Sequence, residues 1–327
     1  MFEFFHGSRV GRKTLASLAR TCLLFSSPAL DILWHDLDGF HPLLKILPIA
    51  TYSVDNPQWL TFQKYAKRVK AFRGRVTAQE SVSSFPRCPK SYLPLLPNLI
   101  ELEWNQIFLA PNNSGIPLLR YLAGPTVTKV TLSFMLREYS SAELEALADL
   151  LKLCPNVTSF AIVPYLLWDR EPPQEVGTMV AQWPRLRTLR ICAIAQPVMD
   201  QLLSRQTLES LHINYYDSSP IYSGTIPATV HELTLRGDSH SLCTRFLKTM
   251  YASPTRFRIL VAKDDEKEES DGEMFHLLPR RINTSRLLSL TIQSASSIQG
   301  IPTWQPWGSE DCSCRPSSNL EHYTSWI

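Results

Sequence analysis

The sequence predicts an α/β solenoid, in which short strands and helices alternate along the chain and successive repeats stack on one another. Three observations support this prediction: a strand-like phrase that recurs, leucines at helical spacing between its copies, and a proline just before several copies. A single repeat of this kind cannot bury its apolar face, so neighbouring repeats must share a continuous core. An ordinary α/β domain with parallel strands is the alternative, and the many copies of one phrase favour the solenoid.

The recurring phrase carries apolar residues at its first, fourth and sixth positions. It reads LIELEW from Leu99 and LRTLRI from Leu186, where Thr188 and Arg190 alternate with the apolar residues and point to the opposite face. The first apolar positions of the copies are Val69, Leu99, Val127, Val157, Leu186, Leu208, Val230, Phe257 and Leu287. Their spacing of 22 to 30 residues lies in and just beyond the range of leucine-rich repeats, whose strand reads L-x-x-L-x-L.

The segments between the phrases show helical periodicity. In SSAELEALADLLKLC, leucines recur at helical intervals from Leu144 to Leu151, and Ser140 with Glu143 fits a capping box. PVMDQLLSRQ repeats the pattern in a shorter gap, and prolines end the helices where a turn is needed. The asparagine that usually follows the strand is mostly missing, so we expect irregular repeats with uneven curvature.

A helical hairpin is predicted before the repeats, within TLASLARTCLLFSSPALDILWHDLDGFHPLLKILP from Thr14 to Pro48. Thr14 can cap a helix over LASLARTC, and Ser27 with Pro28 indicates the start of a second helix over ALDILWHDL. Each helix has one apolar side. A hairpin of this size is too small to have a core of its own.

This hairpin resembles the second half of an F-box, particularly in fungal F-box-like proteins that carry irregular leucine-rich repeats. The matching residues are Leu15, Leu18, Ala19, Cys22, Phe25, Leu30 and Trp34. The resemblance implies that these residues bind a Skp-type adaptor and that the repeats bind a protein substrate. It further implies a substrate receptor of a Skp–cullin–F-box ubiquitin ligase, whose catalysis resides in other subunits.

The resemblance departs from the F-box pattern at its start. The usual Leu-Pro pair has no counterpart, and MFEFF corresponds at most to the tail of the first F-box helix. Either the sequence begins within the motif, or this copy has lost the adaptor and the chain is a leucine-rich-repeat scaffold without ligase contact. We therefore expect a partial F-box-like segment at 1–48, a solenoid of about eight or nine repeats at 49–293 and an irregular or disordered tail at 294–327.

Composition narrows the function classes. The chain has 327 residues, of which 44% are hydrophobic, so it can bury a full core. A net charge of +3 is too mild to indicate nucleic acid, and no apolar run is long enough to span a membrane. The odd number of irregularly spaced cysteines and the lack of a secretory signal predict reduced thiols in a cytoplasmic or nuclear protein.

The sequence offers little chemistry. GSRVGRKT, from Gly7, does not fit a phosphate loop, because only three residues separate its glycines and Arg12 stands where the lysine should follow the second glycine. Cys312, Cys314 and His322 lack the remaining ligands of a structural zinc site. No Gly-x-Ser-x-Gly, His-Glu-x-x-His or glycine-rich cofactor loop occurs, so we expect no metal, no cofactor and no enzymatic activity. Trp304 and Trp307 in the tail are candidates to cover the open end of the solenoid.

Two charged segments have simple interpretations. DDEKEESDGE, residues 264–273, is expected to be a solvated or disordered loop in which Ser270 could attract an acid-directed kinase. KYAKRVKAFRGR, residues 64–75, is basic, but lysine and arginine side chains on an exposed helix explain it better than nucleic-acid binding does.

The residues that alternate with the apolar positions are the candidates for binding a protein substrate on the open face of the sheet. They are Glu101, Glu103, Lys129, Thr131, Thr188, Arg190, Ser210, His212, Glu232 and Thr234. Their mixed charges suit a protein better than a polyanion. The alternative is that these positions only keep the surface polar.

Overall fold

The structure is a computed structural model, and it describes residues 9–46, 57–75, 90–106, 118–134, 141–164, 174–192, 194–216, 219–261 and 269–294. It is a mixed α/β protein with parallel strands, as the sequence predicts at that level. The chain divides into two compact units, residues 1–208 and residues 209–327, called here the first unit and the second unit.

In the first unit, six strands lie side by side in chain order, and each is parallel to the next. They are β1 (Asp36–Leu37), β2 (Ala71–Arg75), β3 (Glu101–Gln106), β4 (Lys129–Phe134), β5 (Ser159–Pro164) and β6 (Thr188–Cys192). Helices precede or separate these strands. They are α1 (Arg9–Thr21), α2 (Leu23–His35), α3 (His41–Leu44), α4 (Pro57–Ala66), α5 (Leu119–Leu122), α6 (Ser141–Leu153), α7 (Gln174–Val180) and α8 (Gln196–Ser204).

The second unit also contains parallel strands in chain order, with a small additional sheet. The main strands are β7 (Ser210–Tyr215), β9 (Glu232–Gly237), β11 (Arg256–Val261) and β12 (Ser289–Ser294), and the additional pair is β8 (Gly224–Ile226) with β10 (Met250–Ala252). Its helices are α9 (His240–Thr249) and α10 (Glu269–Arg281). Ser239 caps α9, because its Oγ accepts a hydrogen bond from the Leu242 amide.

The repeated apolar positions form the core. Seven first positions of the phrase have almost no exposed surface, namely Val69, Leu99, Val127, Val157, Leu186, Leu208 and Val230. The fourth and sixth positions are equally buried, as Leu189 and Ile191 show in β6. Because the side chains of a strand alternate, this burial leaves the intervening polar residues on the opposite face.

Most strands of the main sheet are preceded by a backbone carbonyl of the neighbouring strand's segment that accepts two hydrogen bonds. The Lys70 carbonyl accepts from the amides of Ile100 (2.8 Å) and Glu101 (3.0 Å), and the Glu209 carbonyl accepts from those of His231 (2.8 Å) and Glu232 (3.1 Å). The carbonyls of Ile100, Thr128, Thr158, His231 and Thr255 are bonded in the same way. The recurrence fixes one register between successive strands.

One copy of the phrase is shifted relative to the sequence prediction. The register of β9 with β11 pairs Glu232 with Arg256 and Leu233 with Phe257. Phe257 therefore holds the fourth position of its phrase, and the first position is the buried Pro254. Phe257 was misplaced because a proline is not among the apolar residues expected at that position.

The helices before the repeats also differ from the prediction. The second helix begins at Leu23, so Ser27 and Pro28 lie inside it. A proline is tolerated here because the carbonyl that would lose its N–H donor belongs to Leu24, which is largely exposed to water. The predicted helix over ALDILWHDL ends at His35, and β1 pairs in parallel with β2 instead.

The acidic segment is partly helical rather than a loop. Its last residues, from Glu269, begin α10, and Glu273 Oε1 lies 2.6 Å from Lys248 Nζ on α9. Helix α6 and helix α8 occur where leucine spacing predicts them. Ser140, Cys312, Cys314, Trp304 and Trp307 lie outside the described residues. Among the described helices, none has the length and apolar composition needed to cross a membrane.

Candidate functional site

The polar side chains of β2 to β6 form one candidate surface, called here the first-unit polar face. Strand register places Glu101 beside Lys129, and Glu103 beside Thr131. The register continues both rows through β5 to β6, where Thr188 lies in the row of Glu101 and Arg190 lies in the row of Glu103. The structure thus brings the six sequence-predicted residues of this unit into two adjacent rows.

Ion pairs compensate the acids of the first-unit polar face. Lys129 Nζ lies 3.5 Å from Glu101 Oε2, and Arg73 Nε lies 3.7 Å from Glu103 Oε2. Asn105 Nδ2 donates a 2.8 Å hydrogen bond to Glu103 Oε1. Arg73 and Asn105 were not among the predicted site residues, although their alternation with Phe72 and Trp104 indicates the same face. Both glutamates of this face are therefore paired with a cation.

The second unit carries a comparable surface on β7, β9 and β11, called here the second-unit polar face. Four of its residues were predicted from the sequence, namely Ser210, His212, Glu232 and Thr234. Ser210 Oγ donates to Glu232 Oε2 at 3.2 Å and lies 3.0 Å from His212 Nε2. A serine has one hydrogen to donate, so His212 Nε2 donates to the Ser210 oxygen when Ser210 bonds to Glu232.

Arginines dominate the part of this face that sequence reasoning missed. In register, Arg256 lies opposite Glu232, and Arg258 lies opposite Thr234. Arg258 Nη2 lies 3.9 Å from Glu232 Oε1. Arg236 also belongs to this face, and burial lowers its pKa from the ordinary value, with Asp238 acting in the opposite direction. The signal for the missed arginines is their alternation with Phe257 and Ile259 in TRFRILVA, the weaker copy of the phrase.

Two buried polar groups on the second-unit polar face have no hydrogen-bond partner. Thr234 is 5% exposed and Asn214 is 4% exposed. Within the part of the chain that the structure describes, Thr234 Oγ1 and Asn214 Nδ2 form no hydrogen bond. Buried polar groups in proteins are nearly always paired, so these two atoms distinguish the second-unit polar face from the described part of the first-unit polar face, where no such atom occurs.

Helices α1 and α2, called here the helical pair, form the second candidate surface. They pack against each other, and Leu15 is only 1% exposed. Leu18, Ala19, Cys22, Leu30 and Trp34 are half-buried, whereas Phe25 is exposed. The Trp34 ring lies 4.7 Å from the Tyr65 ring of α4. The seven residues carried over from the F-box resemblance therefore do not share one exposed surface.

Arg68 ties α2 to the residues just before β2. Its Nη1 donates to the Ser27 carbonyl at 3.1 Å and forms an ion pair with the Asp31 carboxylate. The Arg68 side chain is mostly buried, whereas the Asp31 side chain is 59% exposed, so one end of the ion pair faces solvent. Together with the Trp34–Tyr65 contact, it fixes one side of α2 inside the first unit.

The opposite end of α2 presents an apolar corner, formed by Leu23, Leu24 and Phe25. Their exposed fractions are 93%, 82% and 45%. Sequence reasoning did not assign Leu23 and Leu24 to a surface, because it treated them as part of the turn between two helices. Their run of three apolar residues directly after Cys22 is the signal that could have found them.

Metal ligation and thiol chemistry find little support among the described residues. No group of three or more His, Cys, Asp or Glu side chains among them is arranged to hold a metal ion. Burial raises the pKa of the Cys154 thiol to about 11 and that of Cys243 to about 12, so both stay protonated and poorly nucleophilic at neutral pH.

Comparisons with known proteins add no relative. No protein-family model matches the sequence, and no curated protein matches it. Functional conclusions therefore depend on the geometry of the two polar faces and the helical pair.

Proposed function

We propose that this chain is an F-box-like substrate-recognition subunit of a Skp–cullin–F-box ubiquitin ligase. The helical pair would bind the Skp-type adaptor, and the polar faces of an irregular leucine-rich-repeat solenoid would bind a protein substrate. The observation that carries the proposal is the apolar corner of Leu23, Leu24 and Phe25, which is exposed at the start of α2. In this role the chain needs no cofactor and no catalytic group, and it would act in the cytoplasm or nucleus.

The apolar corner has the chemistry of a docking site. Leu23 and Leu24 expose most of their side chains to water, next to a third apolar residue, Phe25. Complete burial of a leucine side chain contributes about 1.5–3 kcal/mol, so covering the two leucines alone would contribute several kcal/mol to binding. Contiguous exposed apolar residues are a common feature of protein–protein contact sites.

The regular register of the strands supports the substrate half of the proposal. Within each unit, successive main strands are parallel and adjacent in chain order. A backbone carbonyl that accepts two hydrogen bonds recurs at the starts of most of them. This arrangement presents polar side chains in rows on a rigid support, as leucine-rich repeats do when they bind a partner. Mixed charges on both polar faces favour a protein over a nucleic acid.

The alternative is a leucine-rich-repeat scaffold that contacts no ligase. The packing of Trp34 on Tyr65 and the burial of Leu15 favour it, because residues that an F-box would offer to its adaptor are occupied within the first unit. The two functions differ only at the helical pair, so an adaptor-binding experiment separates them.

The test is a pull-down of the full chain with the purified Skp-type adaptor. The informative variant is Leu23→Asp combined with Leu24→Asp, because both side chains are exposed and the charges should leave the fold intact. Leu60→Asp is the matched control, since Leu60 is an exposed leucine on α4 outside the apolar corner. Circular dichroism verifies that all proteins are folded.

Capture by wild type and by Leu60→Asp, with loss in the double variant, would support the ligase function. If the folded wild type captures no adaptor, the ligase function is wrong and the scaffold function replaces it. Equal capture by all three proteins would mean that the adaptor binds elsewhere, and the apolar corner would lose its assignment.

A further inference from the structure

Thr234 lies at the centre of the second-unit polar face. In register it has His212 on one side and Arg258 on the other, and Glu232 and Arg236 flank it along β9. Parallel strands lie about 4.8 Å apart and alternate residues of a strand about 6.6 Å apart, so all four neighbours surround it. Each neighbour has a longer side chain, so the short threonine lies below their tips and is only 5% exposed; its position is called here the floor of the depression.

The floor of this depression contains two unused hydrogen-bonding groups. Thr234 Oγ1 and Asn214 Nδ2 are buried and have no partner among the described residues. Asn214 lies diagonally from Thr234, because its register partner is Arg236. Ile213 and Leu235 occupy the core face of the same strands, so strand alternation directs Thr234 and Asn214 into the polar face. A protein tolerates such groups when a ligand completes them.

The charges around the depression leave one cation in excess. Glu232 is held by Ser210 and lies near Arg258, and Asp238 lies near Arg236. In the described ranges, the exposed Arg256 has no ion pair. Arg256 and Arg258 project from the same strand, on either side of Phe257, and can reach one group together.

We propose that the second-unit polar face binds a carboxylate of an acidic protein segment, with Thr234 and Asn214 as hydrogen-bond donors and Arg256 and Arg258 as counter-charges. A carboxylate only accepts hydrogen bonds, which matches a hydroxyl, an amide N–H and two guanidinium groups. This inference rests on the proposed function only in that the polar faces bind a protein; it does not require the adaptor.

Access to the floor requires a movement of Arg258. Its side chain is about half exposed, and its contact with Glu232, at 3.9 Å, is loose. Changes of side-chain rotamer are common when interfaces form. Turning outward, Arg258 opens the depression and exchanges Glu232 for the carboxylate of the partner. Glu232 repels that carboxylate, and this repulsion disfavours a long polyanion such as nucleic acid.

Fluorescence anisotropy with the full chain tests the proposal. The probe is a short fluorescein-labelled peptide of alternating Glu and Gly, compared with peptides in which Gln or phosphoserine replaces Glu. We expect the Glu peptide to bind and the Gln peptide to bind at least about tenfold more weakly. Tighter binding of the phosphoserine peptide would overturn the assignment of a carboxylate and show that the site prefers phosphate.

Variants separate the site from general charge. The double variant Arg256→Gln, Arg258→Gln should bind the Glu peptide at least about tenfold more weakly than wild type. Arg245 is an exposed arginine on α9, so Arg245→Gln should bind the peptide as tightly as wild type. Glu232→Gln should bind the peptide more tightly. If Arg245→Gln weakens binding as much as the double variant, or the wild type does not distinguish Glu from Gln, the proposal is wrong.

Thr234→Val tests whether the Thr234 hydroxyl binds the ligand or supports the fold. Valine has the shape of threonine without the unpaired hydroxyl, so we expect a higher Tm together with weaker peptide binding. A lower Tm would show that the hydroxyl supports the fold and would overturn its role in binding the carboxylate. Adaptor capture should be unaffected in the arginine variants, so failure of the carboxylate site and failure of the proposed function are distinguishable.

Discussion

Gly74 lies directly opposite Trp104 across β2 and β3, and a Cβ atom at Gly74 would stand 2.7 Å from Trp104 Cε3. The same Cβ would stand 2.8 Å from Phe72 Cε1. Both aromatic residues are completely buried in the core of the first unit. The glycine is therefore required by the space that the two rings fill.

Gly74→Ala should destabilise the first unit by about 1–3 kcal/mol, because a buried methyl group would have to displace packed rings. Urea unfolding followed by tryptophan fluorescence measures the loss. Gly272→Ala is the matched control, since no atom of the described residues lies within 4 Å of a Cβ there and the position is in α10. It should stabilise the chain by about 0.5–1 kcal/mol, as alanine does in a helix. Equal effects of the two substitutions would contradict the packing argument.

Trp183 and Trp104 are both buried, but only one uses its indole N–H. Trp183 Nε1 donates to the Cys154 carbonyl at 3.0 Å, whereas Trp104 Nε1 has no partner in the described part of the chain. Substitution by Phe removes a similar volume at both sites. We expect Trp183→Phe to cost about 1–3 kcal/mol more unfolding free energy than Trp104→Phe, because it also removes a buried hydrogen bond. A larger loss at Trp104 would show that packing alone decides.

Asn156 links three repeats of the first unit. Its Nδ2 donates to the Pro125 carbonyl at 2.9 Å, and its Oδ1 accepts from Arg185 Nη1 at 3.0 Å. Asn156→Ala should reduce the unfolding free energy by about 1–2 kcal/mol, because both hydrogen bonds are lost. Asn156→Asp keeps the acceptor for Arg185 and should lose less. Gln182→Ala, at an exposed position, is expected to change stability little, and a comparable loss there would count against the link.

The buried thiols make a prediction about reactivity. Because burial raises the pKa of Cys154 to about 11 and that of Cys243 to about 12, neither forms thiolate at about pH 8.5 in the folded chain. Iodoacetamide should leave both unmodified until denaturant is added, as mass spectrometry of tryptic peptides would show. Rapid modification of either residue in the native protein would mean that its surroundings open to solvent.

The same thiols make stability depend on pH. Their folded pKa values lie above the ordinary value of 9.0, so the folded chain keeps protons that the unfolded chain has lost. Below about pH 9 the thiols contribute fully to the free energy of unfolding. Above that pH, each thiol lowers this free energy by about 1.4 kcal/mol per pH unit until its folded pKa is reached. Cys154→Ala with Cys243→Ala should flatten the unfolding free energy between about pH 9 and pH 10.5. Parallel curves for the two proteins would refute this assignment.

The sequence predicts the strands well because their signal is local. Alternation around Leu189 and Ile191 depends only on neighbouring residues, and burial follows it closely. The same alternation identifies which polar residues share a face, so Glu101 and Glu103 could be assigned before any coordinates. What alternation does not give is the partner of each side chain, since Lys129 and Arg73 come from other strands.

The remaining features depend on tertiary contacts. Strand β1 has two residues, too few for a periodic signal, and exists because Asp36 and Leu37 pair with β2. Pro254 takes an apolar position through its buried ring, which a search for leucine-like residues does not find. The placement of α2 depends on Arg68, which contacts Ser27 and Asp31 from 41 and 37 positions along the chain, and no local pattern reports the resulting exposure of Leu23 and Leu24.

The backbone carbonyls that accept two hydrogen bonds have a consequence for how the sequence can change in evolution. Each one fixes the register of two strands within a few residues of their starts, whatever the length of chain between them. With Pro254 as the first position of its copy, the spacing of first positions varies from 22 to 33 residues without altering the side-by-side order of the strands. Insertions between strands can therefore lengthen the outer connections while the rows of polar side chains keep their alignment, so the polar faces can change in sequence separately from the rest of the repeat.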